Sequence, residues 1–320
     1  MDDPRQEVTT AARSGSVAWE KLGQVFAPDS SVPWMRSHAS LPVPLRLDGD
    51  HYRVFFASRD AMNRSYICAL TLVLRPSIRV LSVDPHPVLS PGPLGCFDDH
   101  GVYPSSIVRT GGRVWLYYIG WNPGVRAPLF YSSIGLAVSD DGGTTFVRTS
   151  PAPIMARSEW DPCLVTSPCV CLDDCRWRMW YVSGFRWTET PDGMHSYYHV
   201  KYAESDDGVD WRRDGRVCID LIGTERNIAR PCVLRDIDSY RMWYSYDAGK
   251  GYRIGYAESD DGLQWTRLDD RAGIAPSSSG WDSAAQAYPF VFSHDGGRYM
   301  LYNGNRFGLT GFGLAVETRS

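Results

Sequence analysis

Ser139-Asp140-Asp141-Gly142-Gly143-Thr144-Thr145-Phe146 is written again as Ser205-Asp206-Asp207-Gly208-Val209-Asp210-Trp211, and a third time as Ser259-Asp260-Asp261-Gly262-Leu263-Gln264-Trp265. Each copy follows a short apolar run, at residues 134–138, 200–203 and 254–257. A phrase that returns at the same place within a longer unit marks a modular architecture. The flanks align as well. Upstream of the three copies lie Val114-Trp115-Leu116-Tyr117-Tyr118, Arg178-Met179-Trp180-Tyr181-Val182 and Arg241-Met242-Trp243-Tyr244-Ser245. Tyr52-Arg53-Val54-Phe55-Phe56 and Arg298-Tyr299-Met300-Leu301-Tyr302 share that aromatic pattern without the phrase, which makes five copies of the unit.

Before each aromatic strand comes a turn rich in Gly or Asp, and before the turn an apolar strand led by proline: Pro42, Pro104, Pro168, Pro231 and Pro289. Proline at the first residue of a strand costs no ladder hydrogen bond. The unit therefore reads as strand, turn, aromatic strand, loop, third strand, Ser-Asp-Asp-Gly turn and fourth strand. Five such units predict an all-β, five-bladed β-propeller with four-stranded antiparallel blades. The last unit stops after its third strand, Phe312-Gly313-Leu314-Ala315-Val316, and Trp19-Glu20-Lys21-Leu22-Gly23-Gln24-Val25-Phe26 has the pattern of the missing fourth. The expectation is one propeller domain over residues 16–320, closed by this N-terminal strand, with a disordered polar tail over residues 1–15.

Composition narrows the function classes. Thirty-three Lys and Arg against 37 Asp and Glu give a net charge of -4, with no basic surplus to neutralise a phosphate backbone, so no nucleic-acid partner is expected. No apolar run approaches the ~20 residues that span a bilayer, and the polar N-terminus is unlike a signal peptide, which predicts a cytoplasmic protein without a membrane partner. The eight cysteines then read as free thiols. Cys163, Cys169, Cys171 and Cys175 cluster without a CxxC pair and read as small core residues, so neither a metal nor a cofactor is expected. Twelve Trp, 18 Tyr and 11 Phe supply strand packing and flat faces for stacking on sugars.

Chemistry is expected where the first strands begin, because in a propeller those starts face the central funnel. Polar groups recur there in every unit: Arg36-Ser37-His38, Asp98-Asp99-His100, Glu159-Trp160-Asp161, Glu225-Arg226 with Arg230, and Trp281-Asp282 with Gln286. Carboxylates converging from different units suit glycoside cleavage, one protonating the leaving oxygen and another acting as nucleophile or activating water. The catalytic candidates are Glu225 as acid with Asp161 and Asp99 as base or pKa tuner. Substrate-binding candidates are His38, Arg59, Asp60, His100, Trp121, Arg186, Arg226, Arg230, Asp282, Gln286 and Asn305. The arginines and histidines of that set equally suit a phosphate or carboxylate. A small molecule or an oligosaccharide is the expected substrate, and the residues leave the oligomeric state open. Residues 188–198 form an insert that reads as a lid or an oligomer contact.

Five units, the closing N-terminal strand, the Ser-x-Asp-x-x-x-Trp turn and Trp-Asp or Glu-Arg at the funnel resemble the arabinanase, invertase and levansucrase superfamily of five-bladed propeller glycosidases and the related mannoside phosphorylases. The Ser139 copy also resembles the sialidase Asp-box, Ser-x-Asp-x-Gly-x-Thr-Phe, which implies structural turns away from catalysis. The resemblance implies a carbohydrate-active enzyme that cleaves or transfers a glycosidic bond. One departure stands out. The resembling hydrolases place an Asp on the first blade's inner strand, whereas Arg36-Ser37-His38-Ala39-Ser40-Leu41-Pro42 holds no carboxylate. Three readings follow: hydrolysis by another carboxylate set, a phosphorylase or transferase with an Arg/His anion site, or a non-hydrolytic propeller that binds or converts a glycan or small metabolite.

Overall fold

The computed structural model describes residues 18–318 apart from positions 174, 248 and 250, so the expected tail at residues 1–15 lies outside the described residues. The chain is all-β and arranged in four-stranded antiparallel sheet units. Strand β1 (Ala18–Phe26) opens the chain. The first unit is β2 (Ser37–Arg46), β3 (His51–Arg59), β4 (Ser65–Val73) and β5 (Arg79–Val83). The second is β6 (Gly101–Thr110), β7 (Arg113–Pro123), β8 (Phe130–Ser139) and β9 (Val147–Arg148). The third is β10 (Leu164–Asp173), β11 (Arg176–Thr190), β12 (Gly193–Ser205) and β13 (Val217–Ile219). The fourth is β14 (Ile228–Arg235), β15 (Tyr240–Asp247), β16 (Tyr252–Ser259) and β17 (Thr266–Arg267). The last holds β18 (Ala287–His294), β19 (Gly297–Asn303) and β20 (Phe312–Thr318), and β1 pairs antiparallel with β20, Ala18 opposite Thr318 and Phe26 opposite Phe312. A single parallel bridge, Ser65 to Gly101, joins the first two units. No helix among the described residues is long and apolar enough to cross a membrane.

The aromatic second strands explain how the units stack. Each hydrophobic cluster lies between two consecutive units: Phe55 and Leu116 share one, Met179 and Ile134 another, Trp180 and Met242 a third, Trp243 and Met300 a fourth. Val54 and Phe56 of the first unit pack with Leu301 and Leu314 of the last. The same edge-to-face contact recurs from unit to unit: Phe55 with Phe146, Tyr117 with Trp211, Trp180 with Trp265. Trp243 finds its counterpart in Trp19, which lies more than two hundred residues away in the chain. Aromatic pairs in this geometry contribute about 0.5–1.5 kcal/mol beyond the area they bury.

The Ser-Asp-Asp-Gly phrases are turns between third and fourth strands. In each, the Ser hydroxyl (Ser139, Ser205, Ser259) donates to the Asp carboxylate two residues on, at 2.7, 2.9 and 3.1 Å. That carboxylate in turn accepts backbone N–H groups, from Val209 and Asp210 in the second copy and from Leu263 and Gln264 in the third. Gly208 shows why the glycine is needed: its φ is +78°, a Cβ there would meet the Tyr117 hydroxyl, and its carbonyl accepts from that same hydroxyl at 2.9 Å.

Thiol–backbone contacts stitch neighbouring first strands. Val233 N–H donates to Cys169 Sγ at 3.2 Å and Val291 N–H to Cys232 Sγ at 3.1 Å, as Val170 N–H does to Ser106 Oγ at 3.0 Å. All eight cysteines are free thiols, and burial pushes the Cys232 thiol up to about 12.

Candidate functional site

The first strands β2, β6, β10, β14 and β18 lie side by side, each beside the next and β18 beside β2. Their heads share one motif, a residue followed by proline: Leu41-Pro42, Tyr103-Pro104, Ser167-Pro168, Arg230-Pro231 and Tyr288-Pro289. Four of those five residues adopt left-handed backbone, with φ of +53° at Leu41, +48° at Ser167, +55° at Arg230 and +56° at Tyr288. Pairing with the second strand slips at that residue and its proline in these four units, and one residue past Pro104, at Ser105, in the second. Non-glycine residues held this way cost about 1–3 kcal/mol each and cluster where a protein binds or acts.

The strain marks a cavity of about 220 Å³ at the heads of the strands. Leu41, Tyr103, Ser167 and Tyr288 line it. Trp121, Phe130, Tyr198 and Phe307 add aromatic faces, and Ser40, Ser132 and Thr166 add hydroxyls. Arg59 is the one charged side chain among the lining residues, and no carboxylate is among them. Arg59 donates to Tyr103 Oη at 3.0 Å and to Asn63 Oδ1 at 2.9 Å. Tyr198 and Tyr252 share a hydroxyl–hydroxyl bond of 2.8 Å, and burial pushes the Tyr198 phenol up to about 12. Beneath the cavity Arg230 is fully buried, with its guanidinium pointing at the Pro104 carbonyl (3.2 Å), Ser105 Oγ (3.3 Å) and the Pro42 carbonyl (3.4 Å).

Of the residues expected from sequence, Arg59 and Trp121 line the cavity. His100 lies edge-on to Trp121 at 4.5 Å between ring centres, and His38 lies close enough to Arg59 to feel its charge. Burial, assisted by Arg59, holds His38 down at about 4, and burial likewise lowers His100, so both rings are neutral near pH 7.

The carboxylates go elsewhere. Asp161 is fully buried against Arg213 (2.9 Å) and Lys201 (3.6 Å) and accepts from the Tyr181 hydroxyl at 3.1 Å. Glu225 takes both ends of the Arg267 guanidinium at 2.9 and 3.0 Å. Asp282 pairs with Lys21 at 2.7 Å and accepts from Tyr302 (3.1 Å) and Gln286 (3.2 Å). Burial works to raise the Asp282 pKa, but the bonds from Lys21 and Ser277 hold it below the usual carboxylate value. Asp98 repeats the pattern with Arg148 at 2.8 Å and Tyr118 at 3.1 Å. Each of these carboxylates, in the loop before a first strand, thus ties down a basic residue on or near its unit's outermost strand. Three of them also take a second-strand tyrosine; in the fourth unit Tyr244 bonds Asp269, which shares Arg267 with Glu225.

The remaining candidates sit apart from the lining. Asp99 accepts from Gly95 N–H at 2.8 Å and from the Asn122 amide. Asp60 is held by Arg64 at 2.8 Å. Arg186 stacks on Tyr197 at 4.2 Å, Arg226 contacts His195 at 2.7 Å, and Asn305 caps the Ala284 and Ala285 N–H groups. The insert at 188–198 continues the β11–β12 hairpin as a wall, leaning on both sides through Trp187 against Phe130, Arg126 with Glu189 at 2.8 Å, and Arg226. Away from the cavity, Asp50, His294 and Asp295 bring three ligand atoms within 4.8 Å of one another, but Arg46 and Arg75 each pair with Asp295 at 3.2 Å. Tyr103, Tyr288, Ser167 and Leu41 were missed in the sequence. The signal that finds them is the residue immediately before each strand-heading proline, rather than the acidic loop a few residues earlier.

Comparison with known proteins places this arrangement. No protein-family profile matches the chain. Two curated relatives from Mycobacterium tuberculosis cover nearly all of it: Uncharacterized protein MT1551 (strain CDC 1551 / Oshkosh), 45% identical over 301 residues, and Uncharacterized protein Rv1502 (strain ATCC 25618 / H37Rv), 44% identical, each spanning 94% of this chain and 99% of the relative. The chain belongs to the family of these mycobacterial proteins. Among solved structures it is similar to one titled Glycoside hydrolase (TM-score 0.71, 20% identity, 94% of this chain and 92% of that one). It is also similar to a thermostable family-43 glycoside hydrolase (TM-score 0.63, 14% identity, 88% and 89%) and to the GH32 β-fructofuranosidase of Bombyx mori (TM-score 0.58, 15% identity, 88% and 61%). The likeness is one of fold: the family has the β-propeller architecture of the GH32- and GH43-type glycoside hydrolases.

Proposed function

We propose that this family member is a carbohydrate-active protein of non-hydrolytic type, which takes one saccharide unit into the cavity at the heads of the first strands. The five units are read as blades of one propeller ring that β1 closes; the β1–β20 pairing, the Trp19–Trp243 contact and the Lys21–Asp282 ion pair support this. Ring closure makes the five heads converge, and convergence creates the cavity. Its free cysteines fit the reducing cytoplasm.

The observation that carries the reading is the make-up of the cavity wall. Aromatic faces and hydroxyls surround a space small for a ligand site, where about 300 Å³ marks the usual lower end. Aromatic rings stack on the apolar faces of a sugar, and hydroxyls and phenols bond its rim. Hydrolysis by a carboxylate pair needs two carboxyl groups about 5–9.5 Å apart across one glycosidic oxygen. The lining supplies none, and Asp161, Glu225 and Asp282 are already neutralised by bases of their own units. Binding with transfer or conversion of the glycan suits this wall better than hydrolysis.

A glycan array read alongside a glycosidase panel tests the reading. The expected result is saccharide binding that is lost in Trp121→Ala, with no release of reducing sugar from any glycoside. Hydrolysis that disappears in Asp99→Asn would sink the proposal and restore the carboxylate mechanism.

A further inference from the structure

We infer that the saccharide carries an anionic group of its own, a phosphate or a carboxylate, which Arg59 binds beside Tyr103 while Arg230 supplies a second positive charge beneath. This rests on the saccharide reading above and names the class of ligand for that site.

The inference comes from an imbalance of charge. Elsewhere among the described residues a deeply buried charge meets its opposite: Asp98 with Arg148, Asp161 with Arg213, Asp282 with Lys21. Arg230 breaks the rule. The residue is 1% exposed, and its hydrogen-bond partners are two backbone carbonyls and a hydroxyl, all at 3.2–3.4 Å. A buried charge without a counter-charge is strongly disfavoured. Burial accordingly lowers the Arg230 pKa to about 10, which still leaves the group charged at neutral pH.

Arg59 repeats the imbalance in the cavity itself. Both of its bonded acceptors, Tyr103 Oη and Asn63 Oδ1, are neutral, and its buried Nε has no partner. The nearby Asp60 offers no compensation, because Arg64, the Met62 and Arg64 N–H groups and the Tyr66 hydroxyl already occupy its oxygens. Tyr288, on the cavity wall, feels the charge of both arginines. His38 and His100, neutral near pH 7, add ring nitrogens at the edge without adding charge. A lining of phenols, hydroxyls and one incompletely bonded guanidinium above a second, uncompensated one therefore selects an oxyanion. The planar fork of Arg59 suits a phosphate or a carboxylate equally.

The test titrates the full chain with inorganic phosphate in one arm and glucuronate in the other, against sodium chloride of matched ionic strength. Binding is read by calorimetry and by the shift of the thermal midpoint. One arm or both should saturate and raise the midpoint above the chloride control, and the arm that saturates identifies the anionic group. Arg59→Gln should weaken that binding about tenfold or more, while Arg59→Lys recovers part of it. Arg59 lies on the cavity wall outside any ion pair, so folding of the variant is checked by its unchanged circular dichroism. If neither anion binds above chloride, or if Arg59→Gln binds as well as the parent, the inference is overturned. Binding of neutral glycans alone would overturn this inference and leave the saccharide reading standing. Anion binding with no glycan bound would overturn the saccharide reading and leave only an oxyanion site at Arg59.

Discussion

The loops before the first strands and the heads of those strands lie a few residues apart, and they treat charge in opposite ways. In the loops, Asp98, Asp161, Glu225 and Asp282 each meet an Arg or Lys from the outer part of their own unit. At the heads, Leu41, Tyr103, Ser167, Arg230 and Tyr288 occupy equivalent positions with four different kinds of side chain, and the charge there is unbalanced. In four of the five units the loops repeat one solution to one problem, an outermost strand to anchor. The heads differ because together they form a single site. Within a modular protein, a feature that most modules repeat is architectural, and the variation among equivalent positions is where binding is written.

The comparison breaks most sharply under substitution. Asp161→Ala strands Arg213 and Lys201 in the interior and should cost about 3–5 kcal/mol, read as a fall in the urea midpoint; Arg59→Gln, on the wall, should change stability by less than about 1 kcal/mol. If Asp161→Ala instead kept its stability and lost ligand binding, loop and head would have to exchange roles. Trp19→Ala tests the outer anchor without touching charge. Losing its edge-to-face contact with Trp243 and the packing around it should cost about 3–5 kcal/mol, with ligand affinity unchanged in the folded fraction.

The smallest effect concerns His38. Its folded pKa is about 4 against an ordinary 6.5, so the unfolded chain takes up the proton first as pH falls. Stability from this group is present above pH 6.5 and drains away as pH drops through 4. His38→Gln should flatten that part of the stability curve, a change visible in thermal midpoints measured across this window.

Much of the fold was legible in residue order. The three Ser-Asp-Asp-Gly phrases, the five aromatic strands and the Trp19 segment set the units and the pairing of β1 with β20, because hairpin and strand signals are local and period-bound. The site was legible only in part. Arg59 and Trp121 reached the cavity, while Asp161, Glu225, Asp282 and Gln286 carried the same polar signature into ion-pair clusters. A one-dimensional reading places all of these near a strand start but cannot give the direction of a side chain. The left-handed residue before four of the five prolines turns the head side chain, whereas the preceding carboxylate reaches a base 50 residues on for Asp98 and 261 residues back for Asp282. Sequence by itself determined the repeat, the order of strands and the kinds of group available. Tertiary structure alone decided which charges cancel and which are left to meet a ligand, because charges neutralise through space and their partners here are far apart along the chain.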